Sequence, residues 1–249
     1  MPLTARDLQV VTPDTLGVQA LKTRLNALDG AEMVYVPAGE FLMGSNNGLE
    51  DERPAHRVRI SRPFWIYRTP VTNAQYRLFV DAVAHRPPPH WEKDGFNAPE
   101  QPVVEISWNT AREYCAWADV SLPTEAQWEY AARGADGREF PWGNEPPDAT
   151  RAVFSAGQPA TVGGRAAGAS PFGALDMSGN VWEWCIDWFA PYPMLQMVDP
   201  TGPEAGKARI FRGGSWVNTP YFLRAAYRYK FDPVFRSNNL GFRPVMPAL

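Results

Sequence analysis

The strongest pattern in the sequence is a strict alternation of residue types between 181 and 188. One side carries Trp182, Trp184, Ile186 and Trp188, and the other carries Val181, Glu183, Cys185 and Asp187. A period of two residues indicates a β-strand. From Asp176 onwards no helical stripe occurs, only short apolar segments interrupted by Gly and Pro. Because the helical patterns all come earlier, the order of elements favours an α+β fold over alternating βαβ units.

Two helix starts are marked by capping boxes, in which a Thr and a Gln three residues later satisfy each other's backbone N–H groups. The first box pairs Thr72 with Gln75. The second pairs Thr124 with Gln127, and its helix is expected to stop at Gly134. Both boxes predict helices in the first half of the chain.

The buried faces of the helices are predicted from the spacing of their apolar residues. Val71 and Tyr76 form a hydrophobic staple around the first box, and Leu78, Phe79 and Val83 are expected to face the core. A further helix is predicted over 107–118, with a buried face formed by Trp108, Ala111, Tyr114 and Cys115. This apolar face predicts that Cys115 is an inert core thiol rather than a nucleophile.

The N-terminal segment predicts a short extension before a single domain. Thr15 to Asp29 has leucines at near-helical spacing and stops at Gly30, which is typical of a short amphipathic helix. The segment from Met33 to Gly44 predicts two strands joined as a hairpin around a Pro-Ala-Gly turn. We expect residues 1–30 to form the extension and 31–249 one domain, because no internal repeat indicates a solenoid or propeller.

Charge and hydropathy exclude several classes of partner. The 249 residues carry a net charge of −3, which provides no cationic field for nucleic acid. No stretch approaches the roughly 18 apolar residues that a membrane span needs, and the N-terminus lacks the pattern of a secretory signal peptide. We therefore expect no nucleic acid and no membrane span, and a location in the cytoplasm or after export by a route other than Sec.

Motifs that carry chemistry are scarce. The phosphate-binding glycine loops, the H-E-x-x-H zinc motif and the G-x-S-x-G elbow are absent. His56, His85 and His90 lie in Pro-rich and charged stretches, so we expect surface histidines and no metal triad. Glu183 and Asp187 share a strand face but lie about 13 Å apart, too far for the usual glycosidase pair. An ion-pair partner or a metal ligand is the favoured role for one of them.

A series of motifs nevertheless occurs in order between Met33 and Val245. They are Val36-Pro-Ala-Gly-Glu-Phe-Leu-Met-Gly-Ser, Asp51-Glu-Arg-Pro-Ala-His-Arg-Val, Pro70-Val-Thr-Asn-Ala-Gln-Tyr, Pro102-Val-Val-Glu-Ile-Ser-Trp, Leu122-Pro-Thr-Glu-Ala-Gln-Trp-Glu-Tyr-Ala-Ala-Arg-Gly, Pro141-Trp-Gly, Gly179-Asn-Val-Trp-Glu-Trp, Arg212-Gly-Gly-Ser-Trp and Leu240-Gly-Phe-Arg. The sequence thus resembles the formylglycine-generating enzyme, or sulfatase-modifying factor, superfamily. The resemblance implies an elaborated C-type lectin-like α+β domain with little regular secondary structure.

The resemblance also implies which chemistry to look for. Oxidising members of the superfamily place a cysteine pair after the Gly-Gly-Ser-aromatic motif and bind copper with it, but residues 213–228 contain no cysteine here. The related sulfoxide synthases use non-haem iron and an additional His-bearing domain, for which this chain lacks the length and the histidines. We therefore expect no catalytic residues and no cofactor, except that Asn180 matches a calcium-binding turn in some members and equally suits a plain Gly-Asn turn.

The segment 212–243 is similar to the variable region of proteins that retroelements diversify. In such regions a fixed framework surrounds positions whose template Asn codons mutate at their adenines, so that Met, Trp, Gln, Lys and Glu cannot be reached. Lys230 would accordingly belong to the framework. The resemblance implies the following variable, ligand-binding positions, all of reachable types: Val217, Asn218, Thr219, Tyr221, Phe222, Tyr229, Phe231, Asp232, Val234, Phe235, Ser237 and Asn238.

Two interpretations of this segment's aromatic residues remain open. Either Tyr221, Phe222, Phe231 and Phe235 belong to a core, or they form an exposed face that binds a ligand. The interleaved arginines are expected to hold loops by hydrogen bonds to backbone carbonyls, and they comprise Arg212, Arg224, Arg228, Arg236 and Arg243.

The sequence favours a non-catalytic protein that binds an unknown protein or another macromolecular ligand through a diversified C-terminal face. One alternative is a non-oxidase member of fixed sequence that acts as a binding or accessory protein. Another is an enzyme whose site the motifs do not show.

Overall fold

The computed structural model describes residues 21–89 and 91–248. Its strands and helices are, in chain order, β1 (Thr23–Leu25), β2 (Glu32–Val36), β3 (Gly39–Met43), β4 (His56–Ile60), β5 (Phe64–Tyr67), α1 (Asn73–Val83), α2 (Trp108–Trp117), α3 (Glu125–Arg133), β6 (Trp182–Trp188), β7 (Met197–Val198), β8 (Arg209–Arg212), β9 (Arg228–Phe231), β10 (Leu240–Phe242) and β11 (Val245–Pro247). The strands form sheets in the orders β1-β2-β5-β11, β10-β6-β8-β9 and β3-β4-β7. In the described residues no helix is long and apolar enough to cross a membrane.

The helix starts predicted from the capping boxes are confirmed. Thr72 and Thr124 each accept a hydrogen bond from the backbone of the Gln three residues later, and each Gln side chain bonds back. Ser107 caps α2 in the same position, and α3 ends at Gly134. These ends form correctly because the partners are local in sequence.

The predicted stripe of α1 was only partly correct. Phe79 is buried as expected, whereas Leu78 and Val83 lie on the solvent side. Tyr76 fills the core instead, where its ring stacks on Tyr114 of α2 at 5.7 Å. Tyr76, predicted as part of the hydrophobic staple, therefore belongs with Phe79 to the buried face of α1. On α2 the predicted face is confirmed, with Cys115 buried as a free thiol.

The helix predicted over Thr15 to Asp29 is wrong in its described part, and residues 15–20 lie outside the described residues. β1 lies within this segment and pairs antiparallel with β2, so Thr23–Leu25 are part of the first sheet. Asn26 begins the turn, where its side-chain oxygen accepts from the N–H of Leu28. Leu25 and Leu28 remain exposed, because the pairing with β2 determines the backbone and overrides the spacing of the leucines.

The hairpin predicted between Met33 and Gly44 is also wrong in its pairing, although both strands exist. β2 pairs with β1 and β5, whereas β3 pairs with β4 in another sheet. The Pro-Ala-Gly turn thus carries the chain between two sheets. Strand content is readable from residue types here, but the partner is chosen by tertiary packing.

β6 lies between two cores. Trp182 and Trp184 belong to a cluster with α1 and α2, whereas Cys185 belongs to a second cluster with α3 and the strands β2 to β5. The predicted strand is confirmed, but its alternation separates two apolar interiors rather than core from solvent. Glu183 is consequently fully buried.

Candidate functional site

The framework of the C-terminal segment begins with two buried arginines. Arg212, at the end of β8, pairs with Glu125 and Glu129 of α3. Its guanidinium also donates to the carbonyls of Ala225 and Ala226. These bonds hold the segment before β9 against the end of β8. A planar guanidinium suits this role because it presents several donors in a fixed geometry.

Arg228 continues the same network at the start of β9. It donates to both oxygens of Glu125, at 2.8 and 2.6 Å, and to the carbonyls of Asp51 and Ala190. Its guanidinium lies 3.9 Å from the ring centre of Tyr192. The Arg228 anchor therefore joins three segments distant in sequence.

Arg243 anchors the far end of the segment. It pairs with Glu183 of β6 at 2.8 Å, and both side chains are fully buried. Its remaining donors reach the carbonyls of Tyr67, Arg68 and Leu175. Of the two predicted carboxylate roles for Glu183, the structure shows the ion pair.

The other three cationic residues of the segment are less buried than these anchors. Arg224 binds both oxygens of Glu52, at 2.8 and 2.7 Å. Lys230 pairs with Asp51 at 2.5 Å. Arg236 is exposed and makes only long contacts, of 3.3 Å to the Glu105 carbonyl and 3.4 Å to Thr110.

Gly213 and Gly214 turn the chain out of β8 towards the face. Their φ angles are 101° and 71°, a region that side chains disfavour. A Cβ at Gly214 would lie 2.9 Å from the Phe222 carbonyl oxygen. Both conformation and space therefore require glycine.

The predicted ligand-binding positions lie at the surface, and none of them is buried. Tyr221, Tyr229, Phe231 and Val234 are exposed. Phe222 and Phe235 are half-buried and pack against the core cluster of α1 and α2. The remaining predicted positions are exposed at Val217, Thr219 and Asp232 and half-buried at Asn218, Ser237 and Asn238. Of the four aromatics, Tyr221 and Phe231 are thus exposed and Phe222 and Phe235 pack partly against a core, while their role in ligand binding stays a prediction.

Several of these residues surround one concave pocket of about 280 Å³. Phe222, Tyr229, Phe231 and Phe235 form its aromatic walls, and Asn218 and Ser237 are polar members of the lining. The remaining lining residues are Trp182, Phe211, Asn239 and Leu240. No lining residue carries a charge, so the pocket suits a neutral group.

The rings of the pocket are held against one another. The centroids of Phe231 and Phe235 are 3.9 Å apart. Tyr229 lies 5.4 Å from Phe211 and 6.1 Å from Trp182, within the usual range of aromatic pairs. Trp182 and Phe211 come from β6 and β8, and the sequence did not mark them as site residues. Their signal was indistinguishable from that of core strands.

A chain of hydrogen bonds runs along the polar edge of the pocket. Ser237 Oγ donates to Asn239 Oδ1 at 2.5 Å, and Asn239 Nδ2 donates to Ser215 Oγ at 3.1 Å. Ser215 Oγ then donates to Asn218 Oδ1 at 2.7 Å. Asn239 and Ser215 are not among the predicted variable positions, whereas Ser237 and Asn218, at the two ends of this hydrogen-bond chain, are.

The residues do not fit the copper site of the oxidising relatives. The segment 213–228 supplies no thiol, and Leu223 within it is fully buried. Cys115 and Cys185 are buried on α2 and β6, and burial raises the pKa of both thiols. Among residues 21–89 and 91–248, no group of three or more His, Cys, Asp or Glu side chains is placed to hold a metal.

The histidine prediction was wrong for His56. This residue lies in β4, is buried, and packs 4.7 Å from the ring centre of Tyr192. His85 is half-buried and contacts Glu113 at 3.0 Å. His90 lies outside the described residues. Buried and exposed residues alternate along β4, and His56 falls on the buried side. The charged residues around it in the sequence had suggested a surface position instead.

Asp187 and Asn180 have structural partners. Asp187 accepts from the Glu125 N–H at 2.8 Å, and burial, reinforced by the Glu125 charge, raises its pKa to about 7. Asn180 has a φ of 60°, and its amide exchanges two hydrogen bonds with the backbone of Ala160. The tight turn predicted at Asn180 is therefore present.

Solved structures place this architecture among C-type lectin-like α+β domains. PvdO from Pseudomonas aeruginosa superposes with a TM-score of 0.80 at 27% identity, covering 91% of this chain and 98% of that one. Treponema denticola variable protein 1 superposes with a TM-score of 0.74 at 21% identity, covering 92% and 99%. The predicted fold class is confirmed.

Sequence comparison defines the family. Residues 18–248 match the sulfatase-modifying factor enzyme 1-like domain. Formylglycine-generating enzyme of Streptomyces coelicolor is 34% identical over 275 residues, covering 84% of this chain and 87% of that protein. Hercynine oxygenase of Mycolicibacterium smegmatis is 36% identical over 258 residues, covering 84% of this chain and 60% of that protein. The chain belongs to the sulfatase-modifying factor family, which contains enzymes.

Proposed function

We propose that this protein is a non-catalytic ligand-binding member of the family and that it binds a macromolecule through the C-terminal face. The observation that carries the proposal is the uncharged aromatic pocket that the C-terminal segment forms with β6 and β8, surrounded by exposed apolar side chains. Exposed apolar clusters around a concave site are typical of binding surfaces.

The chemistry of the segment supports binding over oxidation. Soft metal ions such as Cu(I) select thiolate ligands, and the stretch that carries them in the oxidising relatives has none here. The two thiols of the chain are committed to separate cores. Appearance of formylglycine in a cysteine-containing sulfatase peptide, after incubation with Cu(I) and oxygen, would overturn this part of the proposal.

We further propose that the face is diversified. The support is the contrast between the predicted variable positions, none of which is buried, and the interleaved arginines Arg212, Arg228 and Arg243, which are. A binding or accessory protein of fixed sequence could use the same pocket, and it remains the second candidate. Sequencing the locus separates the two, because diversification requires a near-copy of codons 213–243 beside a reverse transcriptase gene.

The binding function is tested by panning the immobilised full chain against a random peptide display library. The wild type should enrich binders that are lost in the double variant Tyr221→Ser, Phe231→Ser. The matched control is Leu78→Ser, Val83→Ser on α1, because these side chains are 47% and 49% exposed, against 48% and 43% on the face. Enrichment that survives the face variant, or disappears equally in the control, would contradict the proposal.

A further inference from the structure

The pocket described above has a directional polar edge, and its last member is an unused donor. The hydrogen-bond chain from Ser237 through Asn239 and Ser215 ends on Asn218 Oδ1. Within the described residues, no acceptor is assigned to Asn218 Nδ2. Asn218 lines the pocket, so the fixed pair Ser215 and Asn239 orients an amide that can donate to an occupant.

The rest of the pocket determines what the occupant is made of. Its walls are Trp, Phe, Tyr and Leu side chains, and no charged group compensates an ion there. A cation would find no carboxylate in the lining. A cavity of about 150 Å³ holds one benzene, so the 280 Å³ here accommodates one substituted ring.

The surroundings decide between a free small molecule and a polypeptide. Val217, Tyr221 and Val234 are 52%, 48% and 66% exposed and are not part of the pocket lining. A free phenol would leave these apolar side chains in water, whereas a polypeptide that inserts one ring can cover them. Central anchors surrounded by such contacts are typical of protein interfaces.

We infer that the pocket receives a tyrosine side chain of a partner polypeptide, whose phenol oxygen accepts a hydrogen bond from Asn218 Nδ2. This inference rests on the proposed binding function. Ser215 and Asn239 act as positioning residues that keep the Asn218 oxygen turned away from the occupant. Under diversification, Asn218 and Ser237 would vary between copies, so the tyrosine preference belongs to this copy of the sequence.

The experiment is an NMR titration of the full ¹⁵N-labelled protein with N-acetyl-tyrosinamide, N-acetyl-phenylalaninamide, p-cresol and acetyl-Ala-Ala-Tyr-Ala-Ala-amide. The tyrosine amide should bind roughly three- to tenfold more tightly than the phenylalanine amide, as expected for one neutral hydrogen bond. The Asn218 side-chain amide signals should shift more with the phenol-containing probes than with the phenylalanine amide. The pentapeptide should bind more tightly than p-cresol.

Two variants assign the contact. Asn218→Ala removes the donor without adding an acceptor and should reduce tyrosine amide affinity to that of the phenylalanine amide, whereas Val217→Ala, the adjacent control outside the pocket, should leave this discrimination unchanged. Asn239→Ala should also reduce the discrimination, because Ser215 then loses the donor that orients it. The Asn218 side-chain amide signals of Asn239→Ala should differ from those of the wild type even without ligand.

Several outcomes would overturn the inference. Equal affinity for the two amides, undiminished tyrosine binding by Asn218→Ala, or p-cresol binding as tightly as the pentapeptide would each do so. Preferential binding of tetramethylammonium would also overturn it, because the occupant would then be a cation. If these probes fail while peptide panning still returns binders that depend on the face, the tyrosine inference falls and the binding function stands.

Discussion

Neighbouring residues of the C-terminal segment occupy opposite environments. Arg228 is 4% exposed and Tyr229 is 47% exposed, although they follow one another in β9. Trp216 and Val217 show the same contrast at the start of the segment. Arg228 binds a carboxylate and carbonyls of other segments and Trp216 packs in a core cluster, whereas Val217 and Tyr229 leave about half of their surface exposed. A surface built this way can change its outward side chains without losing the contacts that fix its backbone.

The largest expected effect comes from breaking a buried anchor. Arg212→Met should destabilise the protein by about 3–5 kcal/mol, because Glu125 and Glu129 would keep buried charges without this partner. Arg236→Met is the matched control, since Arg236 is exposed and has only long contacts. Its free energy of unfolding should change by less than about 0.5 kcal/mol. Urea denaturation measures both, and equal losses would remove the distinction between anchor and face.

The aromatic residues test the same contrast without charges. Trp216→Ala should cost about 3–5 kcal/mol, because the indole is buried against Phe96 and Val104. Tyr221→Ala and Phe231→Ala should stay within about 0.5 kcal/mol of wild type. Thermal denaturation of the three variants is sufficient. Losses at Tyr221 and Phe231 comparable to that at Trp216 would mean that these rings serve the core.

Phe222 and Phe235 sharpen the boundary between the two groups. Both are half-buried, line the pocket and pack against the core cluster. We expect their alanine variants to lose about 1–2 kcal/mol, between the exposed and the buried rings. The same denaturation series provides these values. Substitutions at these two pocket walls would then cost stability, so the walls could vary less freely than the exposed residues around the pocket.

How far the sequence predicts this arrangement depends on how local each feature is. The ends of α1 and α3 follow from Thr and Gln residues within one turn, so they could be read directly. The pairing of β1 with β2 could not, because leucine spacing in residues 15–29 suits a helix equally well. The buried location of His56 was also not predicted, because it depends on the pairing of β4 with β3, which is set by tertiary packing.

In the candidate site, too, some features could be predicted from the sequence and others depend on the fold. The exposed positions were predicted from the resemblance and the codon argument, which need no knowledge of the fold. The pocket floor was not predicted, because Trp182 and Phe211 meet only through the pairing of β6 with β8. The unused donor of Asn218 was equally invisible, since it depends on Ser215 and Asn239, which are 24 residues apart.

A carboxylate within the framework gives a pH-dependent prediction. Burial raises the pKa of Asp187 to about 7, so the folded state binds a proton that the unfolded state has already released above its ordinary pKa of 3.8. The stability contributed by this group is therefore complete at low pH and is lost as the pH rises towards and through 7. Asp187→Asn retains an acceptor for the Glu125 N–H and removes the titration.

We accordingly expect the stabilising effect of Asp187→Asn to be about 1–3 kcal/mol larger at pH 8 than at pH 5, because the loss begins above pH 3.8 and is complete only above about pH 7. The measurement is the midpoint of thermal denaturation at both pH values. Asp232→Asn is the control, because Asp232 lies exposed on the face. A gain at pH 5 equal to that at pH 8 would show that the effect is not the titration of Asp187.

The smallest effect is expected when the face is replaced at several positions at once. Val217→Ser, Thr219→Ala and Val234→Ser change exposed side chains that lie outside the pocket lining. Each should alter the free energy of unfolding by no more than about 0.5 kcal/mol, and distant exposed sites should add nearly independently. The triple variant should therefore unfold within about 1.5 kcal/mol of wild type in urea, with an unchanged denaturant slope because the same surface is exposed on unfolding. A larger loss, or a changed slope, would mean that these side chains stabilise the tail, and the buried arginines alone could not then support a freely varied surface.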